Sequence, residues 1–439
     1  MFRVHLHIKT GLVSIFALLF FSFLVLPGFA KPPKKDTAQL HLNFPNPINE
    51  LVSSDIDVER VLLITDLSVV EHPLYTDPKS PVPYWTFKHL ITQISGKVPP
   101  AIFVEDWLNQ WLEDQSVGHG VSAARPAMEE LIITPWREAS GGGKLDLNKA
   151  PFRLLAIVNR MDLRSIDEDN VSSAGEGRLV FGALDETGKP LGGGFYIIFE
   201  YNLAASNFHE LNKWAQRWYR LQNHPIESRR YSDELAKLTR LFTDRRITQD
   251  SDNLSHLNQV RTNEVVLGLP WELREFKITQ GTPNLLQVPV AATPDFEFFN
   301  NTKQGRETLG AIIQFMEGIP NSILGSAAPT PFGVAWDPAN VTSEQRHQFA
   351  LFTCSGCHHT ETGAFFTHIA FPEENNLPES LVNEAALSGF LTGIEAEDPI
   401  DDSISRKFND LERRQIDFSD LLNDIDRGHM PRDGEKRKH

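Results

Sequence analysis

Cys354 and Cys357 are the only two cysteines among 439 residues, and His358 follows the second directly. On a helical turn the positions i, i+3 and i+4 share a face, so two thiols and one imidazole of Cys354-Ser355-Gly356-Cys357-His358 can act on one object. Three chemistries use such a set. The thiols can add to the two vinyl groups of one haem while the histidine nitrogen reaches its iron. Two thiolates with two of His358, His359 and His368 can instead hold zinc. The pair can also close a redox or structural disulfide, although that motif normally opens a helix and here it follows one. Scattering two cysteines and 15 histidines at random produces the pentapeptide about once in 6,500 chains, so accident explains it poorly.

The motif resembles the haem-attachment site of c-type cytochromes. That resemblance implies one haem c, Cys354 and Cys357 as thioether anchors and His358 as proximal axial ligand. It is strong over five residues, and with the helix before them it covers at most about a quarter of the chain. The distal ligand has two candidates. Class I cytochromes supply a methionine often followed by proline, and Gly428-His429-Met430-Pro431 has that form. Only nine residues remain after Met430, where such domains usually place a closing helix. His368, ten residues past His358, is the competitor and would give a lower potential. An open sixth position would permit ligand binding.

The elements that must position these residues are mixed. Glu59–Val70 and Leu154–Val158 are apolar, β-branched runs suited to buried strands. Arg178–Leu184 and Phe195–Tyr201 flank a Gly-rich stretch and read as a hairpin with a long loop. Apolar stripes at helical spacing run through Phe103, Trp107 and Trp111, through Phe208, Leu211, Trp214 and Trp218, and through Leu309, Ile312, Ile313 and Met316. Thr342 with Gln345 makes a capping box that starts a helix through Arg346–Thr353. The sum is α+β: a larger mixed α/β domain over 56–325, a Pro/Ala-rich linker over 326–341, and a small, mainly α-helical c-type haem domain over 342–430. A charged tail, 431–439, ends the chain. Nothing in 56–325 names a catalytic group. The acidic run 167–170 lacks the order of a calcium loop, and Gly141–Lys144 lacks P-loop spacing.

The first thirty residues read as an address. Arg3 and Lys9 precede an apolar stretch from Leu12 to Leu26, Pro27 breaks it, and Gly28-Phe29-Ala30 places small residues at −3 and −1 of a cleavage site. An uncleaved membrane anchor is the alternative. Residues 31–55 then form a polar tether. The expected location is periplasmic or secreted, with no stable membrane span after cleavage. Net charge is −16, from 42 basic and 58 acidic residues, which argues against nucleic acid as a partner. Residues 361–426 hold 16 acids against Arg406, Lys407, Arg413 and Arg414, a net of −12 that suits a redox partner with a basic surface. The leading expectation is an exported monohaem electron-transfer protein. The alternatives are a redox enzyme using the haem as relay, and an envelope protein holding zinc. Amino-terminal sequencing of the exported chain should begin at Lys31; a chain still carrying Met1 would make the segment an anchor.

Overall fold

The computed structural model describes residues 51–118, 120–167, 170–248, 255–278, 284–291, 293–315, 323, 325, 334–372 and 385–434. The signal segment 1–30, most of the tether, linker residues 326–333 and tail residues 435–439 lie outside them.

Seven strands form one antiparallel sheet: β1 (Leu63–Ile64), β2 (Phe152–Arg160), β3 (Glu176–Ala183), β4 (Tyr196–Asn202), β5 (Leu257–Asn263), β6 (Leu273–Ile278) and β7 (Leu285–Val288). Their order across the sheet is their order in the chain, a meander. The expected hairpin is there: β3 pairs with β4 from Glu176↔Asn202 to Gly182↔Tyr196.

Side chains alternate across a sheet, and here both faces are covered. On one face Ile157, Leu179, Phe181, Ile197, Phe199, Val260 and Phe276 enter the main core. Helices close over that face: α1 (Phe87–Ile94), α2 (Pro100–Leu108), α3 (Phe208–Tyr219) and α4 (Arg229–Thr243). They bring Phe87, Trp107, Trp218 and Phe242, all at or near zero exposure. A bulge between Leu154 and Ala156 shifts the register of β2. Leu154 therefore joins the main core, whereas Ala156 and Val158 face the other side.

Glu59–Val70 is not one strand. Asp57 accepts a hydrogen bond from the Arg60 amide at 3.0 Å and Asp66 one from the Ser68 amide at 2.8 Å, so each starts a helical turn and leaves two strand residues between. Further on come α5 (Lys303–Phe315), α6 (Ser343–Phe352) and α7 (Asp410–Asp426). The capping box on α6 forms as expected, with Thr342 Oγ1 accepting from the Gln345 amide at 3.1 Å and Gln345 Oε1 from the Thr342 amide at 3.0 Å.

The packing of 342–430 does not set a separate haem domain apart: the described residues belong to one compact unit. Leu351, Cys357, Phe390, Leu391, Phe408 and Leu411 pack onto Leu63, Ala156, Val158 and Val180, making this segment a cap on the second face of the sheet. Helix α7 then runs off the cap, and Phe418, Leu421, Leu422 and Ile425 insert into the main core. The tether is shorter than expected too, because the Leu51 amide and carbonyl are gripped by Asn423 at 2.9 and 2.8 Å. Among the described residues no helix is long and apolar enough to cross a membrane.

Replacing Leu421 by Ala should cost about 2–5 kcal/mol, and calorimetry should show it lowering a single unfolding transition. Two separate transitions would mean that 342–430 folds on its own.

Candidate functional site

The second face of the sheet supplies the floor of a cavity of about 990 Å³, a volume that includes the part open to solvent. Alternate residues face it: Val158 and Arg160 from β2, Arg178 and Val180 from β3, Tyr196, Ile198 and Glu200 from β4, then Arg261 and Asn263 from β5. The register sets Val158, Arg178 and Glu200 in one cross-strand row, and Val180, Ile198 and Arg261 in the next. Cys354, Cys357, His358, His368, Phe390 and Leu391 line the same cavity from the cap.

Local chemistry fixes the motif. Thr353 ends α6, its hydroxyl donating to the Ala350 carbonyl at 2.8 Å and accepting from the Gly356 amide at 3.0 Å. Trp336 Nε1 donates to Thr353 and Ser355 at 2.9 and 3.0 Å, pinning the turn from outside. A Cβ on Gly356 would stand 2.1 Å from the Ala350 oxygen, so only glycine lets the wide turn Gly356–Thr360 fold back on α6. Cys354 and Cys357 form no disulfide and are buried, at 1 % and 2 % exposure. Burial pushes the Cys354 thiol upward, against the pull of Arg261.

His358 is held by an acceptor. Its Nδ1 lies 3.0 Å from the Phe366 carbonyl oxygen, which also accepts from Asn263 Nδ2 at 2.6 Å. A carbonyl cannot donate, so Nδ1 carries the proton and Nε2 keeps the lone pair that binds a metal. Phe366 has φ +59°, a left-handed backbone that is unfavourable for a bulky residue and is maintained by these bonds. Trp271 stacks on the imidazole with ring centres 5.4 Å apart and donates to Asn263 at 2.8 Å. Burial lowers the His358 pKa to about 4, with Arg261 and Arg178 adding to the effect. The ring is therefore neutral at pH 7.

The distal candidates separate. His368 lies in the cavity, its ring 4.3 Å from His358, with Nε2 3.6 Å from Cys357 Sγ and Nδ1 2.8 Å from Ser388 Oγ. Met430 does not line the cavity; it packs, half-buried, against the main core. His359 turns away, bonding Thr360 and packing on Phe366. Among the described residues, the histidines of the motif do not gather with both thiols into one compact ligand set; the group that does is His347, Glu361 and Asp398.

That second group was missed in the sequence, and charge pairing explains it. Arg346 reaches Glu361 at 2.7 and 2.8 Å and Asp398 at 2.7 Å, while His347 Nδ1 meets Glu361. Arg406 adds a bond to Asp398 at 3.2 Å. Two guanidiniums balance two buried carboxylates, so the cluster needs no metal cation. Its role is mechanical: it locks α6 to the residues just after His358 and to the hairpin Ile394–Glu397/Ser405–Phe408. The arginines of the floor were also missed. Their signal was charge at alternate positions of otherwise apolar strands, as in Glu176-Gly177-Arg178.

Acid should destabilise the chain through His358. The unfolded ring, near 6.5, binds protons more readily than the folded one, near 4. Its contribution is therefore complete above pH 6.5 and is lost as pH falls toward 4, by at most about 3 kcal/mol. Urea unfolding between pH 7 and pH 4 should show a shallower decline in His358→Gln; an identical decline would mean the ring titrates normally.

No family model matches the chain, and neither the curated proteins nor the solved structures contain a match, so the site is read from its own geometry.

Proposed function

We propose that this is an exported monohaem c-type protein that transfers single electrons, with one haem c held between the sheet and the cap. One observation carries the reading. Two buried thiols and an imidazole with its metal-binding nitrogen unprotonated line one cavity. Cys354 and Cys357 would be the thioether anchors and His358 the proximal ligand, its basicity supported by the Phe366 carbonyl. His368 would be the distal ligand in preference to Met430, since it shares the cavity and Met430 does not, and its ring, 4.3 Å from that of His358, would have to turn away to admit the iron. When bound, the haem supplies a one-electron ferric/ferrous couple. The chain's residues fix its position, exclude water through Val158, Val180, Ile198, Phe390 and Leu391, and set the electrostatic surroundings. No bond to a substrate is needed. The net charge of −12 over 361–426 suits an encounter with a basic partner protein, sensitive to ionic strength.

The test is a pyridine haemochrome spectrum of protein exported from a host with c-type maturation genes, beside a Cys354→Ala/Cys357→Ala control. A c-type spectrum should survive denaturation and vanish in the control; a colourless wild-type protein overturns the reading. In the loaded protein, His368→Ala should convert a low-spin spectrum to high-spin and Met430→Ala should leave it unchanged. The reverse pattern transfers the ligand role to Met430, and no change in either removes both residues from the iron.

A further inference from the structure

One end of the cavity is built from the start of α7 and the end of β2. Arg160, Asp410, Arg413 and Arg414 line it, with Asp162 directly behind. Arg160 grips Asp162 through Nε at 2.9 Å and Nη2 at 3.0 Å. Arg413 bridges the two acids, reaching Asp162 at 2.8 Å and Asp410 at 2.8 Å. Arg414 pairs with the other oxygen of Asp410. Two carboxylates are thus divided among three guanidiniums. Arg414, at 7 % exposure, keeps an Nε with no hydrogen-bond partner.

An unpaired buried donor on a cation is costly, and a cation with half a partner more so. The titration behaviour of the cluster agrees. Burial and then the neighbouring Arg160 lower the Arg414 pKa to about 10, whereas Asp162 and Asp410 lie well below the usual carboxylate range despite their burial. The acids are oversupplied with positive charge, and the arginine is undersupplied with negative charge. The excess is local to this end: the other arginines of the lining are matched, Arg178 by Glu176 and Glu200 and Arg261 by Glu200 and Glu275. A planar guanidinium fork with a free N–H is the geometry that takes a carboxylate.

We propose that Arg414, with Arg160 and Arg413, forms a carboxylate-binding site at the α7 end of the cavity, filled by an acid group of the molecule the cavity holds. On the haem reading that group is a porphyrin propionate, and the ring would lie with its acid edge under α7; this assignment rests on that reading. The anion site itself does not, since a free small carboxylate offers the same chemistry.

The full chain carrying Cys354→Ala/Cys357→Ala, refolded with iron protoporphyrin IX or with its dimethyl ester, separates the two sources. The free acid should bind at least tenfold tighter than the ester by Soret titration. Arg414→Met, which leaves Asp410 its Arg413 partner, should shrink that gap to within about threefold. Succinate is tested in parallel by its effect on the melting temperature of the same proteins, against chloride at equal ionic strength. If neither porphyrin binds, the haem reading fails, and succinate alone decides. A rise in melting temperature that disappears in Arg414→Met supports the site, with a free carboxylate as its ligand. Equal binding of acid and ester together with no succinate effect, or effects that persist in Arg414→Met, overturns it. Arg414→Lys, which keeps the charge without the fork, should fall between the two if the Met variant folds poorly.

Discussion

A strand in a sheet can send its side chains only up or down, and in this protein both directions lead away from water. One face of the meander is filled by aromatic and aliphatic groups under four helices. The other cannot be, because the cap leaves a cavity over it and the strands place arginines and a glutamate there. Everything on that side follows from the need to compensate buried charge. Arg178 reaches Glu176 at 2.7 Å, and Arg261 reaches Glu275 at 3.0 Å. Burial raises the Glu200 pKa although both arginines oppose the shift. The floor is a fixed lattice of charge in a region of low dielectric, where reorganisation is small and any group in the cavity feels each charge strongly.

The cap is held to that floor by two devices of different kinds. Apolar contact between Leu351, Phe390, Leu391, Phe408 and the strands is non-directional and would tolerate sliding. The Arg346–Glu361–Asp398 cluster is directional, and it lies on three segments of the cap at once. Together they set the motif to one place above the sheet. Helix α7 ties the arrangement to the rest of the molecule, with its first turns at the cavity and its later turns in the main core. A loss of packing around Phe418 or Leu421 would therefore be felt at Arg414, about one to two turns away on the same helix.

Much of this was legible in the sequence where a local rule governed it. The hairpin of β3 and β4, the helices through Trp107 and Trp218, and the Thr342–Gln345 cap depend on neighbours within a few residues, and they formed as expected. The pentapeptide was legible because its spacing is set by one turn of helix. What was not legible were relations between distant segments. The Pro/Ala-rich residues 326–341 looked like a break between domains, yet the strands before them and the cap after them share one cavity. Met430 had the sequence context of a ligand, but its position is decided by α7, which carries it to the edge of the main core. Glu59–Val70 was apolar enough for a strand, and the two aspartates that turned its ends into helices were outweighed by that apolarity.

The seclusion of the two thiols has a consequence for the order of assembly. At 1 % and 2 % exposure, Cys354 and Cys357 are sealed between the cap and the strands once the chain is closed. A catalyst as large as a protein cannot reach them there. Any group to be bonded to both sulfurs must arrive while residues after about 340 are still undocked, with the sheet, made earlier in synthesis, already able to form. Closure of the cap then hides both sulfurs from any partner too large to enter the cavity, and only its opening exposes them again.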